Sequence, residues 1–526
     1  MWTIGWRDEI WERLAEPRDL IVIGGGITGA GILREASRAG LRTLLVEAGD
    51  FASGTSSRSS KLVHGGLRYL RNAQIRTTLA SVHERERLLR EGRGLVTSLP
   101  FLMPSFRGDR IPGWLFGIGL GVYDLLALRW RHRYYEPADL IDRCPQLRQE
   151  ALLGGYRYID AQTDDARLVL RLLRESVREG GAALNYARAT ELLRRSNGTV
   201  AGIGLVDEAT GRTAEVRAPA VISATGAWAD ELRTALGGRR RLRPLRGSHL
   251  LFPFDRLPLT RAISILHPDD GRPVFVFPWE GVTVIGTTDV DHDEDLSIEP
   301  RIGEGEVDYL LRAVDYSFPG SSLARGDVRS TLAGIRAVVD TGRADPSKES
   351  REYVLWDERG LLTVSGGKLT TFRLMAHAAL RAVRRRLPSH PHLEARTRVL
   401  APPPPETCVG HDLPPETCLR LVGRYGEDAP QLVDAALPGE LTSIEGGVSL
   451  WAELRWAARA EGIVHLDDLL LRRVRLGLLV PEGARPLLAR IRSVVQPELG
   501  WDDARWASEA SRYDAIWRRS YSPPGE

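Results

Sequence analysis

Near its start the chain alternates short apolar runs with a glycine-rich turn and an amphipathic stretch. Residues 19–23, DLIVI, form a continuous apolar run that ends at Gly24 and predicts a buried strand. GGGITGAG follows at 24–31, and a helix is predicted from there to Gly40, a natural C-terminal cap. The next apolar run, LRTLLVE at 41–47, predicts a second strand. Strand, turn, helix and strand in this order indicate a parallel βαβ unit.

This unit carries the residue types that a dinucleotide needs. Gly24, Gly26 and Gly29 stand in GxGxxG spacing. The first permits the tight turn, the second lets the backbone approach a pyrophosphate, and the third lets the helix pack on the strand. Amides at the helix N-terminus favour phosphate. Glu47 ends the second strand, where it would face a ribose hydroxyl pair. An acid there disfavours a 2′-phosphate, so the pattern predicts NAD or FAD.

The segment after Glu47 helps to choose between these two cofactors. It reads AGDFASGTSSRSSKLVHGGLRYL at 48–70 and shows no strand pattern, whereas a third strand usually comes soon in an NAD dehydrogenase. Its small hydroxyl side chains and backbone amides can surround a second face of a pyrophosphate. A long cofactor offers that second face, so the segment favours FAD.

Lysine is rare in this chain. Lys61, Lys348 and Lys368 are the only lysines among 72 basic residues. Lys61 precedes VHGG and Lys368 follows a Gly pair, so two of the three lie at glycine-rich turns. An ammonium is compact and carries three donors, unlike the planar guanidinium. The pattern predicts that both turns require a lysine.

Later patterns predict the remaining architecture. APAVISATGAWAD at 218–230 is typical of a buried strand that ends beside a ligand, and 359–383 predicts a strand, a glycine turn and a helix. Between 245 and 335, apolar runs alternate around Pro and Gly and predict antiparallel strands. APPPPETC at 401–408 is a linker stiffened by prolines, and helical patterns follow it.

Composition narrows the class of protein. A length of 526 residues predicts two to four domains, and 43% hydrophobic with 27% charged residues is typical of a globular protein. A formal charge of +3 predicts no nucleic-acid partner. Three cysteines without CxxC spacing suit a reducing cytoplasm, and no metal site is expected. The N-terminus does not resemble a signal peptide. The most apolar window, 111–128, is broken by Pro112 and Asp124, so we expect no membrane crossing but allow a membrane contact.

These segments together resemble the FAD-dependent glycerol-3-phosphate dehydrogenases, within the D-amino-acid-oxidase-like flavoprotein superfamily. The resemblance covers about residues 18–390, with weaker agreement at 467–478, DDLLLRRVRLGL. Its marks are IVIGGGITGAG, TSSRSSKLVHGGLRYL, DDARLVL, ATGAW, RGSHLLFP, VIGTTDV, GIRAV and SGGKLTTFR. It implies oxidation of sn-glycerol 3-phosphate at its central carbon to dihydroxyacetone phosphate, with hydride passing from C2 to N5 of FAD.

The predicted fold class is α/β with an α+β second domain. It comprises a Rossmann-like FAD-binding domain assembled from separated segments, an antiparallel-sheet substrate domain and a C-terminal helical domain. The predicted boundaries are an N-terminal extension (1–17), the FAD-binding domain (18–110, 150–245 and 330–390), the substrate-binding or cap domain (111–149 and 246–329), a Pro-rich linker (391–408) and the helical domain (409–526).

The cofactor positions are expected from the motifs and from the resemblance together. They are Gly24, Gly26, Gly29, Glu47, Thr55, Ser56, Ser57, Ser60, Lys61, Leu62, Gly65, Ala189, Gly226, Gly367, Lys368, Leu369 and Thr370.

Oxidation of a secondary alcohol needs a base for the hydroxyl proton. His249, in GSHL, is the first candidate, because its ordinary pKa lies near neutral pH. His64, in VHGG, is the second candidate base or a residue that orients the loop. Lys368 is expected near the flavin ring, where it would stabilise negative charge on the reduced flavin.

A phosphate dianion favours arginine, whose guanidinium matches its oxygens in a bidentate manner. The resemblance places Arg68, Tyr69, Arg336 and Arg351 at the substrate or at the reactive edge of the flavin. Arg68 and Arg351 are the preferred phosphate ligands. The family commonly has Pro after the arginine of GxR, whereas Ala337 follows Arg336 here, so the local backbone can differ.

The electron acceptor is expected to be a quinone, and the protein is expected to lie in the cytoplasm, peripherally on the inner face of the membrane. The segment 372–387 has apolar and basic faces typical of an interfacial helix, or of a helix packed on the nucleotide-binding sheet. The window 111–128, followed by RWRHR, is a second candidate contact. A homodimer is a candidate assembly. Alternatives are a soluble oxidase that forms hydrogen peroxide, another FAD-dependent amine or hydroxyacid oxidoreductase, and a regulatory protein with a structural flavin.

Overall fold

The structure is a computed structural model, and it describes residues 2–66, 75–109, 112–126, 132–343, 349, 352–388, 397–402, 408 and 412–525. The strands are β1 (Leu20–Ile23), β2 (Thr43–Val46), β3 (Leu62–Val63), β4 (Val96–Phe106), β5 (Arg133–Tyr135), β6 (Leu152–Thr163), β7 (Ala182–Leu184), β8 (Ala187–Arg194), β9 (Val200–Asp207), β10 (Thr213–Arg217), β11 (Ala220–Ser223), β12 (Leu242–Pro253), β13 (Ala262–Leu266), β14 (Pro273–Trp279), β15 (Val282–Gly286), β16 (Val290–Asp291), β17 (Ser330–Val339), β18 (Val354–Glu358) and β19 (Leu361–Ser365). The helices are α1 (Trp6–Glu12), α2 (Ile27–Arg38), α3 (Ile75–Glu91), α4 (Gly113–Leu126), α5 (Pro137–Arg143), α6 (Asp165–Arg178), α7 (Ala229–Ala235), α8 (Glu304–Ser317), α9 (Phe372–Val383), α10 (Pro415–Tyr425), α11 (Ala429–Asp434), α12 (Trp451–Ala460), α13 (Leu476–Leu479), α14 (Leu488–Leu499) and α15 (Asp503–Ser520).

The first sheet has the order β18-β19-β11-β1-β2-β7. Strands β1, β2, β7, β11 and β19 run parallel, and β18 is antiparallel at one edge. The sequences LIVI, TLLV and AVIS are fully buried, as strands covered on both faces must be. The predicted βαβ unit and the predicted assembly from separated segments are confirmed, because β1, β11 and β19 are neighbours in the sheet but distant in the chain.

Helix α2 packs between α6 and α9 against this sheet. On α9, Phe372, Met375 and Leu380 are buried. Arg373 of α9 is also buried and pairs with Glu84, whereas Arg381 is exposed. The interpretation of 372–387 as an interfacial helix is therefore wrong. Its apolar face covers the nucleotide-binding sheet, which was the alternative.

The second sheet has the order β16-β12-β15-β14-β13-β4-β6-β3, with β17 paired to β12 and β5 to β6. Most of its pairs are antiparallel, as predicted for the substrate region. Strands β4, β6 and β17 come from segments that the sequence assigned to the FAD-binding domain, yet they pair here. The boundaries drawn from the sequence therefore differ from sheet membership, because antiparallel pairing partners cannot be inferred from apolar runs alone.

Helices α12 to α15 share one apolar core with this second sheet, whereas α10 and α11 contribute to a separate apolar cluster. Trp451 and Leu454 of α12 belong to the same apolar cluster as Leu251 of β12 and Leu332 of β17. Cys408 and Cys418 form a disulfide, whereas the sequence expectation was three thiols in a reducing compartment. No helix in the described part of the chain combines the length and apolar character needed to span a bilayer.

Candidate active site

A cavity of about 1,220 Å³ separates the two sheets. The first sheet contributes Ile23, Gly24 and Glu47 to its wall, and the second contributes Phe101 and His249. Pockets for single small ligands are usually about 300–1,000 Å³. The volume therefore suits a dinucleotide together with a small substrate.

The glycines at the start of α2 form a backbone cradle at one end of this cavity. Gly24 has φ +111°, and a Cβ there would lie 2.5 Å from the carbonyl oxygen of Ala224. Gly26 is the N-terminal cap of α2, and the next amide, that of Ile27, donates to Ser56 Oγ at 2.9 Å. Gly29 lies against the backbone of Gly24. The cradle keeps backbone amides within reach of a phosphate.

Glu47 lies beside the cradle and lines the cavity. Its carboxylate accepts from the amides of Gly25 at 2.6 Å and Gly49 at 2.9 Å. Burial raises the pKa of Glu47, and these backbone bonds act in the opposite direction. The two amides hold the carboxylate at the end of β2, where a ribose hydroxyl pair would meet it.

Some side chains of the loop after Gly54 line the cavity, and others form hydrogen bonds inside the protein. Thr55 lines the cavity, although its hydroxyl donates to the carbonyl of Ile335. Lys61 does not face the cavity. Its Nζ is buried and lies 2.9 Å from both carboxylate oxygens of Asp165. Burial lowers the pKa of Lys61 to about 8. The structure thus gives this lysine a partner inside the protein in place of the expected cofactor.

The second lysine turn reaches the cavity. Gly367 has φ +80°, a conformation that favours glycine. The Nζ of Lys368 donates to Ser81 Oγ at 3.1 Å, and the Thr370 hydroxyl donates to the carbonyl of His64 at 3.3 Å. The SGGK turn and the VHGG turn are therefore joined at the cavity wall.

His249 lies on β12, is only 1% exposed and borders the same cavity. Its Nε2 is 2.8 Å from Ser60 Oγ. Burial lowers the pKa of His249 well below its ordinary value, and the nearby cations Arg336 and Lys61 lower it further. The imidazole is therefore neutral near pH 7 and able to accept a proton.

Arg336 lies on β17, the antiparallel neighbour of β12. Its guanidinium contacts Asp289 Oδ1 at 2.9 Å and Thr287 Oγ1 at 2.9 Å. Arg272 also pairs with Asp289, at 3.4 Å, so one carboxylate holds two cavity-lining arginines. The sequence analysis missed Arg272 and Asp289. Asp289 could have been found, because it lies inside the VIGTTDV motif, whereas Arg272 had no motif around it.

Most of the predicted site positions meet at this cavity. Those that line it are Gly24, Gly26, Glu47, Thr55, Ser56, Ser60, Leu62, His64, Ala189, Gly226, His249, Arg336, Gly367, Lys368, Leu369 and Thr370. Those behind the wall are Gly29, Ser57, Lys61 and Gly65, of which Gly65 packs against Tyr123 and donates its amide to Asp160. Arg68, Tyr69 and Arg351 lie outside the described residues.

Comparisons with known proteins give two family matches and a set of similar enzymes. Residues 19–379 match the family described as FAD dependent oxidoreductase, and 365–506 match the C-terminal domain of alpha-glycerophosphate oxidase. The aerobic glycerol-3-phosphate dehydrogenase of Staphylococcus aureus strain MRSA252 is 32% identical in an alignment of 480 residues, and the match covers 86% of this chain and 86% of that one.

Solved structures share the fold, and two of them are glycerol-phosphate enzymes with FAD bound. The glycerol-3-phosphate dehydrogenase of Bacillus halodurans, complexed with FAD, aligns with a TM-score of 0.78 and 27% identity over 99% of this chain and 98% of that one. The L-alpha-glycerophosphate oxidase of Mycoplasma pneumoniae, with FAD bound, aligns with a TM-score of 0.59 and 17% identity over 74% of this chain and 99% of that one. The backbone cradle, the cavity and these matches lead to one conclusion: the chain belongs to the FAD-dependent oxidoreductases, in the family of the aerobic glycerol-3-phosphate dehydrogenases.

Proposed function

We propose that this protein oxidises sn-glycerol 3-phosphate to dihydroxyacetone phosphate with FAD and passes the electrons to a quinone. One observation carries the proposal: a buried, neutral His249 and a cationic Arg336 border the cavity that begins at the dinucleotide cradle. The relatives named glycerol-3-phosphate dehydrogenase support the choice of substrate.

FAD fits the residues that form the cavity. The cradle of Gly24 and Gly26 would hold the pyrophosphate, and Glu47 would hold the adenosine ribose. The wall formed by Gly367 to Thr370 would lie against the distal part. When bound, FAD supplies the acceptor for the hydride of the alcohol carbon. Lys368 would stabilise negative charge at this wall.

The protein contributes proton transfer and charge recognition. His249 would take the proton from the substrate hydroxyl, because its imidazole is neutral and borders the cavity. Arg336 would bind the phosphate, with Arg68 and Arg351 as further predicted ligands. Asp289 holds Arg336 by an ion pair of 2.9 Å, which orients the guanidinium before the substrate arrives. His64 and Tyr69 remain predicted members of this site.

The decisive experiment is anaerobic reduction of the FAD-loaded protein. We expect sn-glycerol 3-phosphate to bleach the visible absorbance of the oxidised flavin, because it donates a hydride to FAD. Glycerol, which lacks the phosphate, and neutral amino acids should not bleach it. Bleaching by an amino acid or a hydroxyacid would support another oxidoreductase of the same fold. If none of the tested compounds reduces the bound flavin, the result would support a protein in which the flavin is structural.

Helix α4 supports a quinone acceptor and a membrane contact. Trp114, Leu115, Ile118, Val122 and Leu125 on this helix are 40% to 66% exposed. They recur at helical spacing and form one apolar face. Several of them, Leu115, Ile118 and Val122, also line the cavity. An exposed apolar face that continues into a redox cavity suits a lipophilic acceptor held in a lipid surface.

Vesicle binding tests this contact. Trp114→Ser combined with Leu125→Ser should reduce sedimentation with phosphatidylglycerol vesicles at least tenfold, given about 1.5–3 kcal/mol for each large apolar side chain. Leu437→Ser is the matched control, because Leu437 is 53% exposed and lies outside α4. Equal vesicle binding by both variants would contradict the contact. Turnover on oxygen as fast as on a quinone analogue would instead support the oxidase alternative.

A further inference from the structure

Lys61 belongs to a buried ionic cluster behind the cavity wall. Its Nζ donates to both oxygens of Asp165 at 2.9 Å and to the carbonyl of Ser57 at 2.6 Å. Asp165 also accepts from the amide of Ser59 at 3.0 Å and from its hydroxyl at 2.7 Å. One carboxylate therefore holds residues 59 and 61 of a single turn.

Arg475 completes this cluster from the C-terminal helical region. Its guanidinium ion-pairs with Asp165, and with Asp164 at 3.0 Å. It also donates to the carbonyl of Ser57 at 3.3 Å. Two adjacent buried carboxylates thus face three cations, Lys61, Arg475 and Arg424, of which Arg424 lies 3.8 Å from Asp164. Removal of one partner of such a pair leaves a buried charge uncompensated.

The same turn contacts His249 on its other side. Ser59 and Lys61 direct their polar atoms towards Asp165, whereas Ser60 Oγ lies 2.8 Å from His249 Nε2. The Nδ1 atom of His249 is buried and has no hydrogen-bond partner among the described residues. Within that part of the chain, Ser60 is therefore the group whose hydrogen bond orients the imidazole.

We infer that Arg475 is a positioning residue for His249, and that it acts through Asp165 and the turn 57–61. The inference rests on the proposed role of His249 as the base. It assigns a function to the C-terminal region: its arginine holds the turn that carries Ser60, and Ser60 sets the direction of the imidazole. A displaced turn would misalign the proton acceptor, whereas Arg336, the proposed phosphate ligand, lies on β17 outside this turn.

The test compares Arg475→Gln with Arg455→Gln in the FAD-loaded protein. Arg455 is a matched control, because it is also buried in the helical region and pairs with two carboxylates, Glu440 and Glu498. Stopped-flow reduction by sn-glycerol 3-phosphate separates the limiting rate from the substrate Kd. We expect Arg475→Gln to lower the limiting rate at least tenfold with the Kd changed less than threefold, and Arg455→Gln to keep the rate within twofold.

Two further measurements test whether the lower limiting rate of Arg475→Gln arises from the turn 57–61. Ser60→Ala should lower the limiting rate by a similar factor, and the double variant Ser60→Ala/Arg475→Gln should be no slower than the slower single variant. Hydrogen exchange of the peptide that covers 56–63 should accelerate in Arg475→Gln but not in Arg455→Gln. If Arg475→Gln does not fold, Ser59→Ala, which removes one bond to Asp165, takes its place under the same criteria.

The inference is overturned if Arg475→Gln, or Ser59→Ala in its place, is reduced at the control rate. It is also overturned if the effects of the two substitutions in the double variant multiply. These outcomes differ from failure of the proposed function, in which the wild-type protein itself is not reduced by sn-glycerol 3-phosphate.

Discussion

Replacement of Gly29 by Ala should show that FAD affinity depends on close packing within the glycine cradle, separately from the stability of the fold. A Cβ at Gly29 would lie 1.8 Å from the carbonyl oxygen of Gly24, whereas an ordinary contact is 3.4 Å or more. The start of α2 and the glycine turn would therefore have to move apart by about 1.6 Å. Overpacking of this kind costs about 1–3 kcal/mol. Because FAD needs the turn and the helix N-terminus together, its affinity should fall roughly 5- to 150-fold.

Calorimetric titration of the apo-protein with FAD measures this effect. Gly40→Ala is the control at the other end of α2, because Gly40 has φ +74° and no atom within 4 Å of a built Cβ. Its left-handed backbone should cost about 1–2 kcal/mol of unfolding free energy without changing FAD affinity. Wild-type FAD affinity in Gly29→Ala would refute the argument, since it would mean that helix and turn need not meet closely.

Three other predictions follow from the same site. His249→Asn should lower the limiting rate of flavin reduction by a factor of about 10²–10⁴ while FAD stays bound, as expected for loss of a general base. A limiting rate within threefold of the wild-type rate, measured by stopped-flow absorbance, would exclude His249 as the base. Arg336→Ala should weaken substrate binding roughly 10- to 150-fold, because about 1.5–3 kcal/mol of charge-assisted hydrogen bonding is lost. Arg312→Ala, which removes an exposed arginine of α8, should leave substrate binding unchanged. Equal Kd values for the two variants, from titration of flavin absorbance, would contradict the role of Arg336 as a phosphate ligand. The free energy of unfolding should increase as pH rises towards about 6.5, because the unfolded state protonates this histidine below that pH, whereas burial and neighbouring cations keep native His249 neutral. Between pH 5.5 and 7, the change in unfolding free energy measured with urea should be smaller for His249→Asn than for the wild type. Equal changes in the two proteins would contradict this prediction.

The nucleotide-binding half was predictable from the sequence because its signals are local. Strand β1, helix α2 and strand β2 appear where apolar runs and GxGxxG place them. The position of Glu47 at the end of the second strand was predictable, because the length of one βαβ unit determines which residue follows that strand. Motifs also selected His249 and Arg336 as candidates, and these two residues lie on neighbouring strands although 87 positions separate them in the chain.

The role of Lys61 could not be predicted in the same way. Its position beside a glycine pair suggested a cofactor contact, but its partner Asp165 lies 104 residues away. Direction of a side chain at a turn depends on the groups packed behind it, and no local pattern records them. Arg272 was missed for a related reason. It reaches the site through its ion pair with Asp289, and Asp289 lies in a different loop, between β15 and β16.

The apolar helical patterns show the same division. Segments 111–128 and 372–387 both appeared able to contact a membrane, since each carries apolar residues at helical spacing. The fold covers one of these faces, on α9, and leaves the other exposed, on α4. By itself the sequence determined the cofactor unit, the family motifs and the residue types of the site, because these depend on spacing along the chain. Only the tertiary structure decided which lysine reaches the cavity, which apolar face meets solvent and which arginine pairs with Asp165 behind the turn that carries Ser60, because burial and ion pairing depend on residues that are distant in sequence.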